Sequence, residues 1–463
     1  MLNVKDTPGD NRPPIVMTFP KEEEITPEVV QKFIAWHQLE IPRYKNLMYM
    51  YKNMTAIFDQ KDKDPYKPDN RLSANFSKFI VDTFIGFFNG IPVKKTHQDK
   101  LLLEKLNEFD NLNDMEDEES ELAKMACIYG RCYEYAYQNE DTETCVVYNS
   151  PEDMFIVYDD SIKQAPLFAV RYGIDDDQTL KGTLITHDQL IDLNGSSSAV
   201  VFGEEEINPY NGLPVTEFIL NEERMGVFES VISLMNNFNK ALSEKSNDVD
   251  YFSDQYLAFL GAAIEENDLK QIRDNRVINY FGGDTAKVDV KFLDKPDSDE
   301  QTEHLLDRLQ KLIFQTSMVA NISDESFGNS SGTALAYKLE AMSNLALSFQ
   351  RKYQSALNKR YKLFFSLSTN VSSTQSDEWK NIEYTFTRQI PRNILEEAQT
   401  ASQLMGVTSE ETALSVLSVV PDVQAEIEKI KKEKPKNEMP DYFEGGNDNE
   451  SRSNEKAHGN ERE

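Results

Sequence analysis

Asn321-Ile322-Ser323-Asp324-Glu325-Ser326-Phe327-Gly328-Asn329-Ser330-Ser331-Gly332 is a polar loop set between two helical patterns. Before it, Leu305, Leu306, Leu309, Leu312 and Ile313 line one side of a helix read over 298–320. After it, from Thr333 to Ser368, neither Gly nor Pro interrupts the chain. Leu335, Leu339, Met342, Ala346, Phe349, Tyr353, Ala356, Phe364 and Leu367 recur there at helical spacing, with one turn skipped around Arg360. At about 1.5 Å per residue this helix is a rod of roughly 54 Å. It carries Lys338, Arg351, Lys352, Lys359, Arg360 and Lys362 against a single carboxylate, Glu340, in a chain of 463 residues with a net charge of −31. A basic helix in so acidic a chain points to a negative contact, either acidic segments of an assembly or a phosphate backbone. The plain alternative is a solvated face. The rod itself reads either as half of a helical hairpin in an ordinary core or as one element of a ring or bundle around something long.

The length allows large cores and more than one subregion. Charged residues make up 28% and hydrophobic ones 39%, the balance of a soluble globular protein. The acidity argues against a sequence-reading nucleic-acid binder, which should be basic. It leaves room for a surface that DNA slides past without sticking. Cys127, Cys132 and Cys145 are odd in number and have no histidine nearby, so neither a disulfide framework nor a zinc site is expected. They read as reduced thiols in a cytosolic setting. Residues 1–14 are polar, with no signal peptide in them, and the most apolar window, 79–88, is about half a membrane span and holds Asp82. No membrane association is expected.

In chain order, 1–25 reads as a disordered arm. Thr26-Pro27-Glu28 reads as a helix N-cap with Pro in the first turn. The helix it opens should break near Pro42, with a second running from Tyr44 to about Phe58. Residues 59–70 form a loop, and Asn70-Arg71 opens a helix that stops at Asn89-Gly90-Ile91-Pro92. Helices follow over 98–128, with Glu116-Asp117-Glu118-Glu119 taken as a solvated face. Short β-rich runs separated by turn residues make 130–221 an antiparallel β region. A long helix is read over 226–260, through Val227, Val231, Leu234, Phe238, Leu242, Val249, Phe252, Tyr256 and Leu260. A compact insertion follows over 261–297, with a short helix at 268–273, a strand at 276–280 and an alternating strand at 287–292. After the central helix-loop-helix come a strand at 382–386, helices at 394–404, after Ser409 and at 421–432, and a disordered tail from 434.

No phosphate-cradling, dinucleotide-binding or metalloprotease motif occurs, and His37, His97, His187, His304 and His458 are scattered. No catalytic residue, cofactor or metal site is expected, and the chain is not read as an enzyme.

The order of parts resembles the portal proteins of tailed bacteriophages, of the type found in long-tailed phages of Gram-positive hosts. The resemblance covers about 30–432. It is carried jointly by Asp69-Asn70-Arg71 through Asn89-Gly90-Ile91-Pro92-Val93, by Leu213-Pro214-Val215-Thr216-Glu217-Phe218 with Asn221-Glu222-Glu223-Arg224, by Ser331-Gly332-Thr333-Ala334-Leu335-Ala336-Tyr337-Lys338-Leu339-Glu340, and by Tyr384-Thr385-Phe386-Thr387-Arg388-Gln389-Ile390-Pro391. It implies an α+β, mainly α subunit of a ring of about twelve. The implied wing is 26–225 with 369–391, the first stem helix 226–260, the clip 261–297, and the second stem helix 298–320. The tunnel loop would be 321–332, the long helix 333–368 and the helical crown 392–432. The implied role is a virion DNA channel at one capsid vertex, assembled in the host cytoplasm. Double-stranded DNA would pass without sequence specificity. The implied partners are the terminase large subunit, a head-completion or adaptor protein, scaffold and the major capsid protein. Asp324, Glu325, Phe327, Gly328, Asn329 and Lys338 would lie nearest the DNA, and Arg273, Arg276, Asp284 and Lys287 would dock partners at the clip. A helical scaffold protein that forms no channel explains the acidity and long helices equally well. It gives no reason for the 261–297 insertion. A metal-dependent hydrolase built on acidic clusters and a minor head protein packed beside a portal are the further alternatives.

Overall fold

The computed structural model describes residues 16–64, 67–196, 198–253, 257–260, 289–292, 299–323, 332–388, 394–417, 419–420 and 423–433. The chain divides into two compact units, Met1–Ile390 and Pro391–Glu463. The fold is mixed helix and sheet, with helix the larger share.

The first unit opens with β1 (Met17–Phe19), which pairs parallel to β5 (Met154–Asp159). This corrects the disordered arm for these three residues and adds a parallel pair to an otherwise antiparallel sheet. Met17 and Phe19 are buried among distant residues, and that burial orders a short apolar run at the end of the polar arm. Beyond β1 and β5 the sheet continues with β6 (Pro166–Ile174), β7 (Thr179–Ile185), β8 (Gln189–Ser196) and β9 (Ala199–Ile207). Alternation along β5 divides its side chains between two cores. Phe155 and Val157 join Val30, Phe33 and Ile34 of α1 (Pro27–Tyr51). Met154, Ile156 and Tyr158 face Tyr133 and Val215 of a second sheet. That sheet is three-stranded, with β10 (Val215–Ile219), β3 (Arg131–Gln138) and β4 (Thr144–Asn149) in that order.

Helix α1 begins as expected, with the Thr26 hydroxyl capping Val29 and Pro27 in the first turn, but it does not break at Pro42. Glu40, Arg43 and Tyr44 are buried on both sides of the proline, and this packing holds the helix together across one missing hydrogen bond. Helix α2 (Phe76–Asn89) starts at an Asn75 cap, five residues after the expected opening at Asn70-Arg71. Strand β2 (Lys94–Thr96) follows, then α3 (Lys100–Leu112) and α4 (Met115–Tyr129).

Helix α5 (Ile232–Ser253) ends before the expected 260, because Leu257–Leu260 is a strand, β11, paired antiparallel to β12 (Asp289–Phe292). Phe252, Tyr256 and Leu260 keep a helical period, but the partner strand lies some thirty residues away and leaves no trace in local spacing. The expected strand at 287–292 thus appears at 289–292. Residues 261–288, with the short helix and strand read there, lie outside the described residues. Helix α6 (Asp299–Ser317) precedes the loop, and α7 (Gly332–Ser366) is the rod, about 52 Å long at 1.5 Å per residue. Strand β13 (Glu383–Thr385) pairs with β2. The largest core gathers Ile80, Phe84 and Phe88 of α2, Leu122 and Ala126 of α4, Ile313 of α6, and Phe349, Tyr353 and Leu357 of α7.

The second unit contains α8 (Ile394–Leu404), α9 (Glu410–Leu414) and α10 (Val423–Glu433). The expected cap at Ser409 is present, its side chain accepting from the Thr412 amide. The tail from 434 lies outside the described residues.

Candidate functional site

Helices α5 and α6 form an antiparallel pair. Lys245 of α5 pairs with Glu303 of α6, and Phe76 of α2 makes edge contacts with both Phe238 of α5 and Phe314 of α6. Leu306, Leu309 and Ile313 supply the buried side of α6. Beyond the Lys245 end the chain leaves and returns through the β11–β12 ribbon. At the other end Met318 takes φ +61 and stops α6, and the Asn321 side chain accepts from the Ser323 amide at the mouth of the loop.

Residues 324–331 lie outside the described residues, and with them Asp324, Glu325, Phe327, Gly328 and Asn329. Arg273, Arg276, Asp284 and Lys287 do so as well. Lys338 is the one predicted site residue that is described. It sits exposed near the start of α7. The structure therefore brings together the frame of the predicted site: two packed helices, a ribbon at one end, a loop at the other, and the rod that leaves the loop.

An extended segment straps α5 along its length. The Asn239 Oδ1 accepts from the Ala74 amide at 2.9 Å, the Ser243 Oγ from the Leu72 amide at 2.9 Å, and the Asn247 Oδ1 from the Asn70 amide at 2.6 Å. Helix residues four apart thus read alternate amides of an antiparallel strand. The strap is pinned outside by Arg71, which reaches Asp62 at 2.6 Å, Asp69 at 2.7 Å and the Phe58 carbonyl at 3.1 Å. The Asp69-Asn70-Arg71 motif is this strap. Its amides are taken by α5, which explains why α2 cannot start there.

The entry to α5 is fixed by close backbone contact. A Cβ at Gly130, with φ +86, would lie 2.0 Å from the Arg224 carbonyl oxygen, and one at Gly226 would lie 2.2 Å from that of Ile128. Only glycine permits this crossing. Arg224, at φ +56, donates two hydrogen bonds of 3.0 Å to Glu217, which also accepts from the Tyr158 hydroxyl. Burial works against the charge on Glu217, but Arg224 outweighs it and holds its pKa below the usual range.

The rod is anchored by a buried charge cluster. Arg360 is 2% exposed. It donates to Glu134 of β3 from Nε at 2.8 Å and to Glu119 of α4 from Nη1 at 2.6 Å. Glu119 also takes Lys95 at 3.1 Å, Lys95 takes Asp110 at 2.7 Å, and the Tyr361 hydroxyl donates to Asp110 at 3.0 Å. Burial opposes the charge on Arg360, but the two carboxylates hold its pKa well above the ordinary value. Burial, reinforced by nearby Glu134, pushes the neighbouring Glu118 up to about 8. The acidic run 116–119 is therefore a solvated face only in its first half: Glu116 and Asp117 are exposed, whereas Glu118 and Glu119 are buried, and Glu119 is turned inward to meet Arg360. The skipped turn in the apolar stripe of α7 is this arginine. It was the available signal for the cluster, as Asn239, Ser243 and Asn247 at helical spacing were for the strap.

Among the described residues no group of His, Cys, Asp and Glu is placed to hold a metal ion, and no helix is long and apolar enough to cross a membrane.

Residues 30–439 match the family model described as "Phage portal protein, SPP1 Gp6-like". The protein belongs to the phage portal protein family, of the SPP1 Gp6-like type. It is similar to the portal protein of Bacillus phage SPP1, 25% identical over 443 residues covering 88% of this chain and 86% of that one. It is also similar to the portal protein of Clostridium phage phiCD119, 23% identical over 415 residues covering 82% and 88%. Two solved structures are similar in part. A chain in the neck of an empty gene transfer agent particle, computed with C6 symmetry, has TM-score 0.44 at 10% identity, over 73% of this chain and 89% of that one. A chain from the virion of the native gene transfer agent has TM-score 0.46 at 12% identity, over 81% and 92%. The family expected from the sequence is the family found. The chain is a portal protein, a structural component of the capsid.

Proposed function

We propose that this protein assembles into a ring of about twelve subunits at one capsid vertex. Double-stranded DNA enters through it during packaging, is retained by it, and leaves through it during ejection. Membership of the portal family supports this, and the observation that carries it is the hairpin of α5 and α6 with a ribbon at one end and a loop leading into a 35-residue helix at the other. Two packed helices can line a channel wall, and a rod of about 52 Å can reach from such a wall to the rim of a ring. In this reading α5 and α6 form the stem, 254–298 the clip, 318–331 the tunnel loop, α7 the spoke, and 394–433 the crown. The strands and helices before 226, with 369–391, form the wing.

Asp324, Glu325, Phe327, Gly328 and Asn329 are assigned to the DNA side of the loop, with Lys338 close behind. Arg273, Arg276, Asp284 and Lys287 are assigned to docking at the clip. The clip takes the terminase large subunit and later the head-completion or adaptor protein, and the wing takes scaffold and major capsid protein. The energy of packaging comes from the terminase, and this chain supplies no chemistry and needs no cofactor. Its net charge of −31 repels phosphate and limits sticking, which suits a conduit. Assembly takes place in the host cytoplasm.

Deleting 324–329 tests the loop assignment. Rings should form by electron microscopy, while DNA packaged per particle should fall at least tenfold. Packaging at the wild-type level would overturn the assignment.

A further inference from the structure

Among the described residues of the first unit, one face of α7 is left uncovered over most of its length. Tyr337, Ala341, Leu347, Arg351, Lys359 and Lys362 are exposed and fall on one side of the helix, opposite the buried row of Met342, Ala346, Phe349, Tyr353 and Arg360. Tyr337 is 75% exposed and Leu347 42%. From Tyr337 to Lys362 the stripe runs about 38 Å. Among the described residues Arg351, Lys359 and Lys362 take no hydrogen bond or ion pair, although burial at its base lowers the Lys359 pKa and Glu217 attracts its charge from within the chain. The other two cations of this half of the helix are occupied within the chain, Lys352 by Glu222 and Arg360 by Glu119 and Glu134. The basic excess of the helix therefore divides into a part satisfied internally and a part gathered, with an aromatic and an aliphatic side chain, on the open face.

Three occupants can be weighed. A duplex would meet three cations, which release about three counterions and hold it weakly at physiological salt. It would gain nothing from Tyr337, Ala341 or Leu347. A symmetry mate presenting the same stripe would set cation against cation, which is repulsive. An acidic surface of a second copy satisfies both features: the chain has 80 carboxylates against 49 Lys and Arg, and Tyr and Arg suit a protein interface. A basic patch that cannot pair with itself makes a head-to-tail contact. Such contacts generate rings, whereas self-complementary patches generate two-fold dimers.

We propose that the exposed stripe of α7 is a subunit contact that receives a carboxylate-rich surface of a neighbouring copy, head to tail. This rests on the ring reading above and names the surface that closes the ring.

The test uses the full chain. A photo-reactive phenylalanine derivative replaces Tyr337 in one variant and Ser355 in another, and assembled protein is irradiated with duplex of arbitrary sequence present. Adducts between two copies are expected at both positions. In parallel the variant R351E/K359E/K362E is compared with wild type by native mass spectrometry and electron microscopy. Its ring fraction should fall at least tenfold, with an unchanged circular dichroism spectrum. Adducts to DNA in place of a second copy would overturn the inference, and so would rings at the wild-type fraction in the triple variant. Both outcomes leave the ring reading intact. Wild type that never forms rings would overturn the ring reading and this inference with it. Should the triple variant misfold, the photo-adducts decide alone.

Discussion

Arg360 occupies a position where the spacing of α7 calls for an apolar side chain, and it is held there by two carboxylates from different elements. Removing one partner of a buried charge group leaves the others uncompensated, at a cost of about 3–5 kcal/mol. Arg360→Ala should lose about that much in urea unfolding, and a loss below about 1 kcal/mol would contradict the cluster's structural role. Arg360→Lys should recover only part, because a point charge cannot reach both carboxylates with the arginine's fork. His37 gives a pH prediction. Its Nε2 lies 2.7 Å from the Pro151 carbonyl, which only accepts, so that nitrogen carries the proton and Nδ1 accepts from the Tyr172 hydroxyl at 2.8 Å. Burial lowers its pKa from 6.5 to about 4. As pH falls from 6.5 towards 4 the unfolded chain takes up a proton that the folded one refuses, so stability falls over that window, by about 3 kcal/mol at most. His37→Gln should flatten the decline, as read by urea midpoints at stepped pH. Glu118 has the opposite sense. Its pKa is raised from 4.5 to about 8, so its contribution is full below pH 4.5 and is lost as pH rises to 8. Glu118→Gln should therefore be more stable than wild type at pH 8, by about 1 kcal/mol after allowing for partial solvent access, and no gain would contradict the shift.

At the scale of the element, the strap on α5 is the informative case. Asn239, Ser243 and Asn247 are each at most 5% exposed and each satisfies one backbone amide of residues 70–74. Replacing Asn239 or Asn247 with Leu keeps the volume but orphans a buried N–H, a loss of about 1–3 kcal/mol. The loss should also be local. Tryptic cleavage at Lys61 and Lys63 should speed up several-fold in Asn247→Leu, while cleavage sites in the β region keep their wild-type rate. Uniform acceleration across the chain would contradict a local strap. In the same way α1 persists through Pro42 because buried neighbours on both sides hold it. Rod α7 resists fraying at its Arg360 end because two elements grip it there.

At the scale of the molecule, the three apolar cores formed by described residues lie within the first unit, and none of their described members comes from beyond Phe386. A chain ending at Ile390 should therefore keep a cooperative thermal transition, with a melting temperature within about 5 °C of the full chain, which for a unit of this size corresponds to about 4 kcal/mol. A broad melt or aggregation at room temperature would contradict the independence of that unit.

The sequence by itself determined the long rod, the helix pair around the loop, the β-rich middle, the capped helices near the C-terminus and the family. These are carried by local periodicity, by caps such as Thr26 and Ser409, and by motif order, all of which are written in neighbouring residues. Tertiary structure alone decided that Met17–Phe19 is a strand, that Leu257–Leu260 leaves the helix its spacing suggests, that Pro42 is passed through, and that Glu118 and Glu119 turn inward. In each case the deciding partner is far away in the chain: β5 for the first, β12 for the second, the packed neighbours of α1 for the third, and for Glu119 in the last the buried Arg360. Local spacing records which side chains share a face. It does not record what that face will meet, and the free energy of meeting it is what overrode the local pattern.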